Sequence, residues 1–246
     1  MNYDGRALAA RVLAVLDLTS LGEDDTAATI ENLCKAAAAG GHPAAVCVYP
    51  EHIESARRIL DERGAADVAV ATVVNFPDGS SVLGRAERET RRALAAGADE
   101  IDIVFPWRSY IDGDRESGPL MLKSCKDLCG MRPLKAILET GELGDPLLIR
   151  ELSLAALASG ADFIKTSTGK TATGATLAAA RVMLQCLRER NGRGGFKAAG
   201  GIRTVAEAGR YLALADEIMG TEWATPAHFR IGASSLFAEI RSMMSP

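Results

Sequence analysis

Short, nearly unbroken apolar runs alternate with longer amphipathic stretches along this chain, and the alternation repeats eight times. The runs are Leu13–Thr19, Ala44–Tyr49, Val68–Val74, Glu100–Phe105, Leu134–Glu139, Ala161–Lys165, Phe196–Ala199 and His228–Gly232. They are continuous more than strictly alternating, which suits parallel strands covered on both faces. Helices are predicted between them. Arg6–Arg11 is a short helix ahead of the first strand. Asp24-Asp25 open an alanine-rich helix that closes at Gly40-Gly41. Glu51–Arg63, Ser81–Ala96, a stretch at about 118–129, Pro146–Ser159 and Leu177–Arg190 follow. In Ser81–Ala96, Val82, Leu83, Ala86, Ala93 and Leu94 share one face. Thr204 to Glu207 reads as a capping box, and Ser234-Ser235 open the last helix.

Eight strands, each followed by a helix at a spacing of roughly 25–35 residues, predict an α/β protein with a parallel sheet. A single closed (β/α)8 TIM barrel over residues 1–246 accounts for the length and the strand count. A doubly wound open sheet is the alternative. The first strand is not followed by Gly-x-Gly-x-x-Gly, which argues against a dinucleotide-binding version. No linker or internal repeat stands out.

Composition narrows the class. The formal charge of -4, with acidic and basic residues interspersed, predicts no nucleic-acid partner. No apolar run is long enough to span a bilayer, and Met1–Asp4 starts no secretory signal, so no membrane role is expected. Cys34, Cys47, Cys125, Cys129 and Cys186 are odd in number and scattered, which predicts free thiols in a reducing cytoplasm. Cys125 and Cys129 lack a second ligand pair, so neither zinc nor another metal is expected.

A barrel puts its chemistry at the C-terminal ends of the strands. The polar residues there, Asp17, Thr19, Asn75, Asp102, Lys135, Glu139, Lys165, Thr168 and Lys197, are therefore predicted to converge. Three lysines in otherwise apolar strands matter most. An amine attacks a carbonyl only when unprotonated, and an ordinary lysine titrates near pH ~10.4. Burial and a second ammonium nearby both lower that value. Spacing leaves open which of Lys165, Lys197 and Lys135 is the nucleophile, and Lys135 reads equally well as an ion-pair partner of Asp102. Farther along, Gly200-Gly201 with Arg203, and Gly232 with Ser234-Ser235, open the loops where barrels commonly bind phosphate. Lys170 adds a further cation.

Read together, these residues carry a resemblance. The stretches Asp17–Leu21, Val46–Pro50, Val74–Pro77, Glu100–Val104, Leu134-Lys135 with Glu139–Leu143, Phe163–Lys170, Phe196–Thr204 and Phe229–Ser235 are similar to those of the deoxyribose-phosphate aldolases, a class I (Schiff-base) family. The resemblance implies reversible cleavage of 2-deoxy-D-ribose 5-phosphate to acetaldehyde and D-glyceraldehyde 3-phosphate, without a metal or organic cofactor. It implies Lys165 as the Schiff-base lysine, Lys197 as the amine that perturbs it, and Asp102 as proton donor and acceptor. Asp17, Thr19, Cys47, Lys135 and Thr168 would belong to the surrounding network. Cys47 reads equally well as a small core residue. Gly169, Lys170, Gly200, Gly201, Arg203, Gly232, Ser234 and Ser235 match the phosphate-binding stretches. The implied partners are a sugar phosphate and small aldehydes, with a homo-oligomer as the expected assembly.

One departure stands out. Some relatives end in a tail with a terminal tyrosine, whereas this chain ends Met243-Met244-Ser245-Pro246 and its last tyrosine is Tyr211. Slower proton exchange at the acetaldehyde-derived carbon is the corresponding expectation. Three competing readings are another Schiff-base aldolase or transaldolase, a barrel that only binds sugar phosphates, and an isomerase with Glu139 as base.

Overall fold

A computed structural model describes residues 5–245. Met1–Asp4, on which the reading of no secretory signal rests, and Pro246 lie outside the described residues. Eight parallel strands close into a barrel in chain order. They are β1 (Leu16–Thr19), β2 (Ala45–Val48), β3 (Ala69–Val74), β4 (Glu100–Val104), β5 (Leu134–Ile137), β6 (Phe163–Lys165), β7 (Gly195–Ala199) and β8 (Phe229–Ala233). The circle closes between β8 and β1, where Asp17 pairs with Gly232. This is the (β/α)8 architecture predicted from the strand and helix order.

Strand geometry explains the apolar runs. Successive side chains point to opposite faces. Leu16 and Leu18, Val46 and Val48, Ile101 and Ile103, Phe196 and Ala198, and Phe229 and Ile231 join one continuous core with the helices. Their neighbours point into the barrel. On β2 and β3 these inward residues are small and apolar, and Ala45, Cys47, Ala71 and Val73 form a separate cluster. On the other strands many are charged, so the barrel interior is polar on one side.

Several boundaries differ from expectation, each for a physical reason. The first helix runs Gly5–Ala14 and takes Val12 and Leu13 onto its buried face, so β1 begins only at Leu16. An apolar run cannot by itself distinguish a buried helix end from a buried strand. The second helix, Ala27–Ala37, is capped by Thr26 in a reciprocal arrangement with Thr29, and not by Asp24 or Asp25. Val82 sits at the cap of helix Leu83–Ala95 and is exposed, not on its packed face. Pro50–His52 is a tight turn ahead of helix Ile53–Glu62. Two short helices, Trp107–Ile111 and Thr140–Leu143, were not foreseen. The second starts from Glu139, which leaves β5 in a left-handed conformation with φ 56°. The capping box of Thr204 and Glu207 is present as predicted and opens helix Val205–Met219. Ser235 precedes helix Leu236–Met244 without a side-chain cap bond.

Candidate active site

Among the described residues, seven charged side chains meet inside the barrel. Four are cations, Lys135, Lys165, Lys197 and Arg230, and three are carboxylates, Asp17, Glu100 and Asp102. All seven are buried. An isolated buried charge is expensive, so the contacts within this set decide which charges persist.

Asp102 is the hub. Its Oδ1 accepts from Lys135 Nζ at 2.7 Å, and its Oδ2 accepts from Lys165 Nζ at 2.7 Å and Lys197 Nζ at 2.8 Å. Lys197 also donates to Asp17 Oδ2 at 2.5 Å. Lys135 reaches Glu100 Oε2 at 2.7 Å. Arg230 donates to Asp17 Oδ1 at 2.7 Å and forks onto Glu100 at 2.6 and 3.1 Å. Lys135, Lys197 and Arg230 therefore each meet at least two carboxylates, whereas among the described residues Lys165 bonds only Asp102.

That asymmetry sets the protonation pattern. Burial pushes the Lys165 amine below its ordinary range; Asp102 opposes the shift and the charge on Lys197 adds to it. Burial also works against Lys197, but Asp102 and Asp17 outweigh it and hold its proton more firmly than usual. Lys135 behaves likewise through Asp102 and Glu100. Burial disfavours charge on Asp17 as well, yet Lys197, Arg230 and Lys135 keep its carboxyl well below the normal range. Asp102 is depressed in the same way, with Lys135, Lys165 and Lys197 overcoming burial. Setting aside the charge of Lys165, three cations face three carboxylates. The geometry thus separates the three lysines that spacing had left equivalent.

Above this floor lies a cavity of about 470 Å3. Lys165 is the only lysine of the three that lines it. The walls include Thr19, Thr168, Gly169, Lys170, Gly200, Gly201, Arg203, Gly232, Ser234 and Ser235. Every residue expected to bind phosphate therefore faces the same space. The loop after β1 adds Ser20, Leu21, Gly22 and Asp25, which sequence reading had not selected. Lys170 crosses to this loop and donates to the Leu21 carbonyl at 2.6 Å.

Backbone packing holds the loops together. A Cβ on Gly174 would lie 2.3 Å from the Gly200 carbonyl oxygen, so only glycine lets these two loops approach so closely. Next to it, Ala175 N–H donates to the carbonyls of Ala199 and Gly200 at 3.1 and 3.0 Å. A Cβ on Gly232 would lie 3.1 Å from Lys197 Cε, which places this glycine directly over the lysine stem.

Two predicted members do not join the cluster. The Asn75 amide donates to the carbonyls of Ser80 and Val104 at 2.8 and 2.9 Å, so it ties the loop after β3 to β4. Glu139 accepts from Thr168 Oγ1 at 2.6 Å and Thr168 N–H at 3.1 Å, and Thr171 adds a contact at 3.3 Å. Its carboxylate anchors the loop after β6, which leaves it poorly free to act as an isomerase base. Cys47 packs among Ala45, Ala71 and Val73, and burial raises its thiol pKa. Lys135 is one of three lysines that ion-pair with Asp102.

Sequence reading missed Glu100 and Arg230. Both lie on strands already marked as important, and period-2 alternation could have found them. Glu100 shares a face with Asp102, and Arg230 with Gly232.

Comparison with known proteins fits this arrangement. The model of the DeoC/LacD aldolase family matches residues 11–236. A structure from Toxoplasma gondii, whose assignment as a deoxyribose-phosphate aldolase is provisional, shares 28% identity and superposes with a TM-score of 0.91, covering 98% of this chain and 96% of that one. One from Coccidioides immitis, also provisionally assigned, shares 27% identity at a TM-score of 0.83, covering 95% and 87%. The tetrameric deoxyribose-phosphate aldolase of Aeropyrum pernix shares 25% identity at a TM-score of 0.78, covering 98% and 93%.

Proposed function

The chain belongs to the DeoC/LacD family of aldolases, and from that premise we propose that it cleaves 2-deoxy-D-ribose 5-phosphate reversibly to acetaldehyde and D-glyceraldehyde 3-phosphate through a Schiff base on Lys165. The observation that carries the reading is the single-carboxylate environment of Lys165 on the floor of a cavity ringed by Lys170, Arg203 and glycine-rich loops.

The steps follow from that environment. The neutral amine of Lys165 attacks C1 of the open-chain sugar. Loss of water gives a protonated imine. The proton leaves the C3 hydroxyl, the C2–C3 bond breaks, and its electron pair flows toward the imine nitrogen. Glyceraldehyde 3-phosphate departs. C2 of the remaining enamine is protonated, and water then releases acetaldehyde and the free lysine. A carboxylate held as low as Asp102 is a weak base by itself, so its protons pass through water or Lys197. Lys170, Arg203, and the backbone at Gly200-Gly201 and Ser234-Ser235 hold the phosphate away from the reacting carbons.

Another Schiff-base aldolase or a transaldolase acting on a different phosphorylated sugar would use the same floor. Product analysis with several acceptor aldehydes separates the two. Self-association is expected by analogy with the tetrameric Aeropyrum protein, and sedimentation velocity measures it. The test of the chemistry is borohydride reduction in the presence of deoxyribose 5-phosphate, followed by peptide mapping. A two-carbon adduct on Lys165 is expected. An unmodified Lys165 with full aldol turnover would overturn the Schiff-base reading.

A further inference from the structure

Arg230 and Glu100 lie below the reacting amine and touch no part of the cavity above it. Yet each is bonded into the same network as Lys165. From Arg230 the chain of contacts runs through Asp17 to Lys197 and on to Asp102, whose Oδ2 also holds Lys165. From Glu100 it runs through Lys135 to the other oxygen of Asp102. We propose that Arg230 and Glu100 are a pair of positioning residues whose opposite charges set how readily Lys165 gives up its proton. The proposal rests on Lys165 being the reactive amine.

The reasoning is a charge count in a closed volume. The titratable and charged groups inside the barrel are Asp17 on β1, Cys47 on β2, Glu100 and Asp102 on β4, Lys135 on β5, Lys197 on β7 and Arg230 on β8, and of these Asp102, Lys197 and Cys47 act on Lys165 directly. The residues that β3 brings to this cluster, Ala69, Ala71 and Val73, are apolar. Fully ionised, the network carries one surplus positive charge. The surplus is relieved most easily at Lys165, which bonds one carboxylate where the other cations bond two. Removing Arg230 abolishes the surplus, and Lys165 can then keep its proton. Removing Glu100 increases the surplus, and Lys165 gives up its proton more readily. Removing both restores the original count.

A purely structural role predicts something different. Arg230 also donates from Nε to the Pro226 carbonyl at 2.6 Å and lies 5.8 Å from the centre of the Phe163 ring. If those contacts were its whole purpose, its loss would weaken the fold without moving any pH profile. A lysine at position 230 would keep the charge but lose the fork geometry.

The experiment follows reductive alkylation of Lys165 by acetaldehyde and cyanoborohydride, quantified by peptide mass spectrometry from pH 5 to pH 10. It reads the free amine directly and needs no aldol turnover. R230Q is expected to react about tenfold more slowly near neutral pH and to recover when alkaline. E100Q is expected to shift the profile toward lower pH. The E100Q/R230Q double variant and R230K are expected to stay near the wild-type profile. If R230Q alone does not fold, the shift of E100Q toward lower pH and its cancellation in the double variant still test the proposal. Parallel shifts in both single variants, or unmoved profiles, would overturn the proposal. Should wild-type Lys165 itself not react while Lys135 or Lys197 does, the choice of reactive amine fails, an outcome distinct from unmoved profiles at a reactive Lys165.

Discussion

Replacing Lys197 with leucine removes the cation nearest in kind to Lys165 while leaving an apolar stem of similar size. Lys165 and Lys197 donate to the same oxygen of Asp102 at 2.7 and 2.8 Å, so these two distances bound the separation of their nitrogens at 5.5 Å. At an effective dielectric of about 20, two unit charges that far apart repel by about 3 kcal/mol. Loss of this repulsion favours the protonated form of Lys165 roughly 100-fold. The freed charge on Asp102 and Asp17 acts in the same direction. The assay is single-turnover borohydride trapping of deoxyribose 5-phosphate by K197L from pH 6 to pH 10, with near-UV circular dichroism as a check on folding. Trapping near neutral pH should fall by about two orders of magnitude and recover as the solution becomes alkaline. An equal loss at every pH would refute the electrostatic reasoning and assign Lys197 to proton transfer alone. An unchanged profile would remove Lys197 from the chemistry.

Two other perturbations test separate parts of the site. K170A and R203A should each lower kcat/KM for the phosphorylated sugar by about 10- to 100-fold, the worth of a charge-assisted hydrogen bond. Activity on unphosphorylated deoxyribose should be nearly unchanged, and equal losses on both sugars would contradict a phosphate role. Acid stability should also follow from the network. Asp17 and Asp102 are held below the ordinary carboxylate range in the fold but return to about 3.9 when unfolded. The unfolded chain then binds more protons than the folded one, so stability present at neutral pH falls as pH drops through about 4 toward the folded values. Tm measured from pH 6 to pH 3 should fall less steeply in D17N than in the wild type, and identical slopes would speak against this linkage.

The barrel was legible because each strand is short, apolar and followed by a helix, a pattern that few folds repeat eight times. Lys165, Lys197 and Asp102 stood out because a charge in an apolar strand must be compensated. Glu100 and Arg230 carry the same signal, since each shares an inward face with Asp102 or Gly232 two residues on. Asn75 and Glu139 were grouped with the cluster because they follow β3 and β5. Position along the chain does not reveal that both turn aside, through left-handed backbone at φ 52° and 56°, to hold loops. Nor could spacing rank the lysines. Their difference lies in how many carboxylates each one meets, which depends on side chains from β1 and β4. Val82 was misplaced because its apolar side chain falls on the helical period while its backbone stands just outside the helix.

The most direct measurement is an NMR titration of protein labelled at lysine Nζ, with Lys165, Lys135 and Lys197 assigned by single substitutions. Lys165 is expected to lose its proton at lower pH than the exposed lysines, with Lys135 and Lys197 still charged well beyond that point. A Lys165 that stays cationic as long as its two buried neighbours would contradict the view that this nitrogen is held ready as a nucleophile.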